Sequence, residues 1–454
     1  MPLKALWDKY FYRHRPLQAG LYHYRGQEGD RFYRLHLRIE PDARGVLVIN
    51  ASKILHLNQT AAEMAKHIVE GDDPDRAAAE MLKRYRGIKP DQLRRDYLEL
   101  RDKVFRLAGT DDVCPITYMD IDRIEPFETP VTAPYRLDLA LTYKCDNACG
   151  HCYLPKGRMP SELSVNQWKQ AIAKIWEAGI PHICFTGGEA TLRPDLVDLI
   201  AYAEETGLVT GLLTNGRRMK DRKLVRAMVE AGIDHFQITL ESAEAAIHDK
   251  MVGCKGAWKD TVAGIGNAVA TPVYTITNTT LTKVNAKGIE KTLAFVKKLG
   301  VATVACNGLI YSGQGASCGI GFAEAELAPI MERIRNKCRA LGLKLIWYTP
   351  TQYCNLDPVN LELGVKACTA AKYNMCLEPD GSVIPCQSWF KPLGNLLRDP
   401  WAKIWNADLA VDLRQKKYLQ KKCSGCDKLP LCGGGCPIYN QQAEVLCVDS
   451  KSNA

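Results

Sequence analysis

At 454 residues, 46% hydrophobic and 24% charged, the chain carries enough apolar material for roughly two to four cored domains. A net charge of +9 is modest for this length and follows no aromatic-interleaved basic stripe, so nucleic acid is not the expected partner, while an acidic peptide fits. No apolar run is long enough to span a bilayer, and 18 cysteines without a secretion signal point to a cytoplasmic chain with metal-bound thiolates, not disulfides or a membrane anchor.

In chain order, Leu35, Leu37 and Ile39 alternate with Arg34, His36 and Arg38, and short strands follow at Val46 to Ile49 and Lys53 to Leu57. Three helical stripes come next, Ala61 to Ile68 stopping at Gly71, Ala78 to Tyr85, and Leu93 to Leu107 after Pro90. Strands followed by three short helices predict a winged-helix-like module. Nothing on the third helix marks a base reader. The order and the Gly71 break resemble the PqqD-like domain that recognises leader peptides in ribosomal-peptide maturation. That resemblance implies that a precursor's leader adds as an edge strand, against a groove lined by residues such as Leu57, Tyr97 or Val104. A purely structural domain is the alternative.

Pro115, Pro126, Pro130 and Pro134 mark a linker, with the boundary near Asp120. Six strands then alternate with helices, at Leu137 to Thr142, His182 to Thr186, Val209 to Thr214, His235 to Leu240, Pro272 to Leu281 and Val301 to Ile310. Ser164-x-x-Gln167 has capping-box spacing at the start of the first intervening helix, whose face carries Trp168, Ile172, Ile175 and Trp176. Six such repeats predict an α/β fold, a partial (β/α)6 barrel over residues 121–321, with its site at the strand C-termini.

The first strand ends in Cys145-Asp-Asn-Ala-Cys149-Gly-His-Cys152. Three thiolates on one tight loop can hold three corners of a 4Fe-4S cube and leave one iron open. Zinc also takes cysteines but prefers four ligands. The second strand ends in Gly187-Gly188-Glu189. Together these residues resemble the radical S-adenosylmethionine (radical SAM) superfamily, with Ala190 where many members have proline. The resemblance implies that the open iron chelates the methionine part of SAM and that Gly187, Gly188 and Glu189 contact its amino group. It also puts Thr239 and Glu241 near the ribose. His248-Asp249 lacks the arginine that grips the carboxylate in relatives, leaving Lys250 or Lys255 as substitutes.

Residues 322–454 open with a helix, Glu324 to Leu341, and then crowd cysteines: Cys368, Cys376, Gly381, Cys386, Cys423-x2-Cys426-x5-Cys432-x3-Cys436 and Cys447. A pair of zinc knuckles would suit the CxxC pairs. The whole spacing is similar to the SPASM domain, which carries auxiliary iron-sulfur clusters. Carried over, Cys368, Cys376, Cys386 and Cys436 hold the inner cluster, with Cys354 the substitute for Cys376, and Cys423, Cys426, Cys432 and Cys447 hold the outer one. Gly433-Gly434-Gly435 lets backbone amides approach the sulfurs. Cys184 and Cys306, inside strands, read as buried apolar residues.

The resemblance therefore implies three 4Fe-4S clusters and SAM. Reductive cleavage of SAM, fed by a flavodoxin or ferredoxin, would give a 5′-deoxyadenosyl radical that oxidises or crosslinks a side chain of a ribosomally made precursor peptide. Rival readings are a sulfatase-type maturase, which has a carboxylate where Gln387 stands, a small-molecule enzyme acting on a tetrapyrrole or another cofactor, and a zinc-containing peptide-binding scaffold.

Overall fold

A computed structural model of the chain describes residues 17–28, 31–85, 87–109 and 130–441. Two compact units divide it, Met1–Ile124 with Ile175–Pro181 and Glu125–Lys174 with His182–Ala454. The expected boundary at Asp120 lies outside the described residues.

The first unit opens with an antiparallel meander, β1 (Gly20–Glu28), β2 (Arg31–Ile39), β3 (Gly45–Ile49) and β4 (Lys53–Leu57), paired in that order. β1 was not anticipated. Tyr22 and Tyr24 are only half-buried and alternate with exposed His23 and Arg25, a weak signal, yet the strand pairs with β2 along its whole length. Three helices follow as expected, α1 (Gln59–Glu70), α2 (Pro74–Leu82) and α3 (Pro90–Gly109). Asn58 caps α1, and Gly71 ends it at φ 76°, a left-handed conformation that glycine adopts without a Cβ clash.

Leu35, Leu37 and Ile39 meet Leu47, Ala65 and Val104 in the core of this unit. One expectation fails here. Leu57, Tyr97 and Val104, assigned to a peptide groove, are 9%, 1% and 1% exposed, and the Tyr97 hydroxyl donates inward to the Asp72 carbonyl. The apolar stripe of α3 is consumed in covering the unit's own core and cannot also face a ligand.

In the second unit six parallel strands pair in sequence order: β5 (Arg136–Thr142), β6 (His182–Gly187), β7 (Val209–Thr214), β8 (His235–Thr239), β9 (Tyr274–Leu281) and β10 (Thr303–Gly308). Between them run α4 (Val165–Glu177), α5 (Leu196–Thr206), α6 (Arg222–Glu230), α7 (Ala245–Val252), α8 (Ala257–Val269) and α9 (Ile289–Lys298). The Ser164 and Gln167 capping box forms, with Ser164 N–H donating to Gln167 Oε1 at 3.0 Å and Gln167 N–H to Ser164 Oγ at 3.4 Å. β5 is buried on both faces, as parallel strands covered by helices are.

The sheet of this partial barrel extends further than the six repeats. After α10 (Glu324–Leu341), β11 (Lys344–Trp347) adds parallel to β10; at the other edge β12 (Asn374–Leu377) adds parallel to β5 and continues into β13 (Ser382–Ile384) and β14 (Gly394–Asn395). The C-terminal third thus supplies both edges of the barrel sheet. Short helices follow, among them α11 (Trp401–Trp405), α12 (Asp408–Arg414) and α13 (Leu429–Cys432).

Candidate active site and cluster sites

The cysteine loop leaves the C-terminal end of β5 and is clamped by its neighbours. Ala148 N–H donates to the Val252 carbonyl at 2.9 Å, at the end of α7, and Gly315 N–H donates to the Cys152 carbonyl at 3.0 Å. After β7, Asn215 Nδ2 donates to Asp146 Oδ1 at 2.6 Å, and the Arg217 guanidinium reaches the Asp146 carbonyl and Asn147 Oδ1. Asn215 belongs to the Leu213-Thr-Asn-Gly216 run that ends the third strand, whereas Arg217 went unnoticed in the sequence because nothing local ties it to a loop some seventy residues earlier.

The three thiols lie close enough to disfavour one another's ionisation. Burial raises Cys145 to about 11 and Cys149 well above its usual range, and neighbouring carboxylates and thiols add to this. Burial also raises Cys152. Such a trio needs a cationic centre to become thiolate, while backbone N–H groups already point at two of the sulfurs, Asn147 at Cys145 and Leu154 at Cys152. A cube held at three corners fits this donor set.

The Gly-Gly-Glu turn lies directly against the loop. Gly188 N–H donates to the Thr142 carbonyl at 2.7 Å and Glu189 N–H to the Lys144 carbonyl at 2.9 Å; a Cβ on Gly187 would collide with the Thr142 carbonyl. Glu189 Oε1 accepts from Thr191 N–H, Thr191 Oγ1 and Thr214 Oγ1, and Oε2 from Asn215 N–H. Burial raises its pKa and these bonds oppose the rise. Oε2 retains a free lone-pair direction for a ligand.

Thr239 ends β8, half-buried. Glu241 beyond it is 1% exposed and committed within the protein: Oε1 lies 3.1 Å from His151 Nε2, and Oε2 accepts from Thr280 N–H at 3.0 Å. His151 sits inside the cysteine run. Its burial would lower the imidazole pKa, but the hydrogen bond and charge of Glu241 reverse this and the net movement is upward. Lys250 and Lys255 are exposed, and the Arg217 guanidinium contacts the cysteine loop at Asp146 and Asn147.

In the C-terminal third, Cys368, Cys386 and Cys436 gather as one group and Cys423, Cys426 and Cys432 as another. Tyr418 lies between them, its hydroxyl on the Gly433 carbonyl at 2.9 Å. Cys447 lies outside the described residues. Backbone N–H groups again aim at sulfur: Tyr353, Gly434 and Gly435 at Cys432, Ser388 and Trp389 at Cys386, Ile438 and Tyr439 at Cys436. Gly433, Gly434 and Gly435 all have positive φ, at 60°, 83° and 76°, which makes this close amide approach possible. Cys376, buried on β12, neighbours Cys386, whereas exposed Cys354 follows Tyr353, whose N–H points at the other group.

One buried carboxylate was missed. Asp138, on β5 and fully buried, accepts from Gln387 Nε2 at 2.9 Å and Asn374 Nδ2 at 3.1 Å, and its Oδ1 lies 3.0 Å from Arg136 Nε. Tyr153 hydroxyl donates to Gln387 Oε1 at 3.1 Å. The alternation of β5 showed only a polar residue in a strand.

Comparison with known proteins agrees with this geometry. Residues 139–296 match the Radical SAM superfamily, and residues 368–427 match SPASM, an iron-sulfur cluster-binding domain. The chain is 27% identical over 337 residues to Fe-coproporphyrin III synthase of Methanosarcina barkeri, covering 67% of this chain and 83% of the relative. It is 27% identical over 323 residues to a PqqA peptide cyclase of Methylocella silvestris, covering 67% and 82%. Among solved structures, Streptococcus suis SuiB bound to S-adenosylmethionine superposes with a TM-score of 0.66 at 16% identity, over 89% of this chain and 95% of that one. The structure of anSMEcpe with bound AdoMet and the Kp18Cys peptide gives 0.55 at 14% identity, over 67% of this chain and 89% of that one. The chain is a radical SAM enzyme whose cofactors are SAM and 4Fe-4S clusters. No helix among the described residues is long and apolar enough to cross a membrane.

Proposed function

We propose that this radical SAM enzyme modifies a ribosomally made precursor peptide, oxidising or crosslinking one of its side chains. The supporting observation is that the cysteine loop and the Gly-Gly-Glu turn meet at the strand C-termini of a barrel preceded by a separate four-stranded, three-helix unit. The SuiB fold likeness spans 89% of the chain, SuiB is also solved with its precursor peptide SuiA, and a PqqA peptide cyclase is among the relatives.

When bound, SAM and the first cluster supply a 5′-deoxyadenosyl radical; the protein's part is to position and to exclude water. Cys145, Cys149 and Cys152 hold the first cluster, and Asn215, Arg217 and the His151–Glu241 pair fix their loop. Gly187, Gly188 and Glu189 would receive the SAM amino group, and Thr239 would lie toward the ribose. Arg217 is the nearer candidate for the carboxylate, ahead of Lys250 and Lys255. Cys368, Cys376, Cys386 and Cys436 hold the inner auxiliary cluster. Cys423, Cys426, Cys432 and Cys447 hold the outer one, three clusters in all, with a flavodoxin or ferredoxin as the electron source. The N-terminal unit receives the leader by strand addition at an edge strand of its sheet, β1 or β4.

The likeness to Fe-coproporphyrin III synthase supports a second reading, a small-molecule enzyme. Mass spectrometry of a precursor peptide encoded beside this chain and co-expressed with it separates the two. A mass loss of hydrogen atoms on the core peptide supports the first, and an unaltered peptide with turnover of a tetrapyrrole supports the second.

A further inference from the structure

At the opposite end of the barrel from the cysteine loop, His182 opens β6 and His235 opens β8. Cys184 lies two residues after His182, on the same face of β6. The register makes Cys184, Gly211 and His235 lateral neighbours on three consecutive strands. Because Gly211 has no side chain, its two neighbours meet above it. A Cβ there would collide with the His235 imidazole and stand 2.9 Å from Cys184 Sγ.

Cys184 Sγ lies 3.4 Å from His182 Nε2 and 3.7 Å from His235 Nε2, and one ligand atom from each of the three residues falls within 4.8 Å of the other two. In a tetrahedral zinc site, with zinc–sulfur near 2.3 Å and zinc–nitrogen near 2.0 Å, sulfur and nitrogen sit about 3.5 Å apart. The observed separations bracket that value. We infer that His182, Cys184 and His235 form a metal site of the His2Cys type, taking zinc or a similarly borderline divalent ion, with water as the fourth ligand.

The surroundings suit such an ion. Cys184 is fully buried and His235 is half-buried beside it. Burial, with Arg136 nearby, pushes His235 down to about 4, which keeps the imidazole in the neutral form that ligates metal. Burial also raises the Cys184 thiol to about 12, with Arg136 opposing and Asp138 reinforcing the rise. The thiol proton must therefore leave as the metal enters, to solvent. The guanidinium of Arg136 is itself matched by Asp138 at 3.0 Å, so the ion does not face an uncompensated cation. Lying at the N-terminal ends of the strands, the site ties β6 to β8 and takes no part in SAM chemistry.

The test uses the full-length, cluster-reconstituted protein given one equivalent of zinc chloride under anaerobic conditions and then desalted. Elemental analysis should find about one zinc per chain, and the zinc K-edge should show one sulfur with nitrogen or oxygen making up four ligands. Cys184→Ser and His235→Gln should each lower retained zinc by roughly tenfold or more, while iron content and deoxyadenosine formation stay at wild-type levels. Zinc lost on desalting, sulfur-only ligation (zinc in the cluster cysteines) or full retention in either variant overturns the assignment. The edge spectrum of the wild type decides the matter even where a variant folds poorly.

Discussion

Gln387 Nε2 donates to Asp138 Oδ2 across 2.9 Å, joining the residue after Cys386 to the middle of the first barrel strand. Where sulfatase-type maturases carry a carboxylate after that cysteine, this chain carries an amide whose partner is a carboxylate from β5.

If Asp138 accepts the proton released as the substrate radical is oxidised, Asp138→Asn should keep SAM cleavage near wild type while lowering peptide product by about 10²- to 10⁴-fold, the range for loss of a positioned base. Deoxyadenosine and modified peptide measured in the same reaction check this. Equal losses of both would instead make Asp138 part of the fold.

Replacing Cys145, Cys149 and Cys152 together with alanine should abolish deoxyadenosine formation and leave a folded protein. About four of some twelve irons should be lost, as expected for one cube among three. Iron analysis with circular dichroism reads both outcomes, and deoxyadenosine persisting in the triple variant would refute the assignment.

The 3.1 Å contact between Glu241 and His151 makes the pair a positioning device for the cysteine loop. Glu241→Gln should lower occupancy of the first cluster or SAM cleavage by about tenfold, as loss of an outer-shell partner does at other metal sites. Mössbauer spectra should show the auxiliary iron undisturbed.

Cys432 accepts backbone N–H groups from both sides of its cluster group and is 7% exposed. If the auxiliary clusters act after radical formation, Cys432→Ala should spare some uncoupled SAM cleavage and remove peptide product. Full product from a soluble variant short of about four irons would rule out a redox role for the outer cluster.

If the N-terminal unit captures a leader peptide, a protein lacking residues 1–120 should cleave SAM but modify peptide poorly, and adding the missing unit in trans should restore part of the activity by raising effective concentration. Unchanged modification by the shortened protein would favour the small-molecule reading.

Local sequence determined what depends on neighbours in the chain. The period-two alternation of β5, the capping box at Ser164, the Gly71 stop and the CxxxCxxC spacing all act within a few residues, and each appears where the residues put it. Tertiary structure decided what depends on strands meeting. Asp138 and Gln387 are joined across 249 positions because β12 pairs beside β5, and no periodicity announces a strand arriving from the far third of the chain. The same holds for Arg217 on the cysteine loop, and for Cys376 lying beside Cys386 while Cys354 falls beside the other group. Tyr97 shows the limit from the other side: its helical stripe was legible, but whether Tyr97 faced a core or a ligand depended on the helices packed against it, which bring Ile68 and Ala77 onto its ring. Side-chain spacing specifies a face; only the packed neighbour specifies what the face meets.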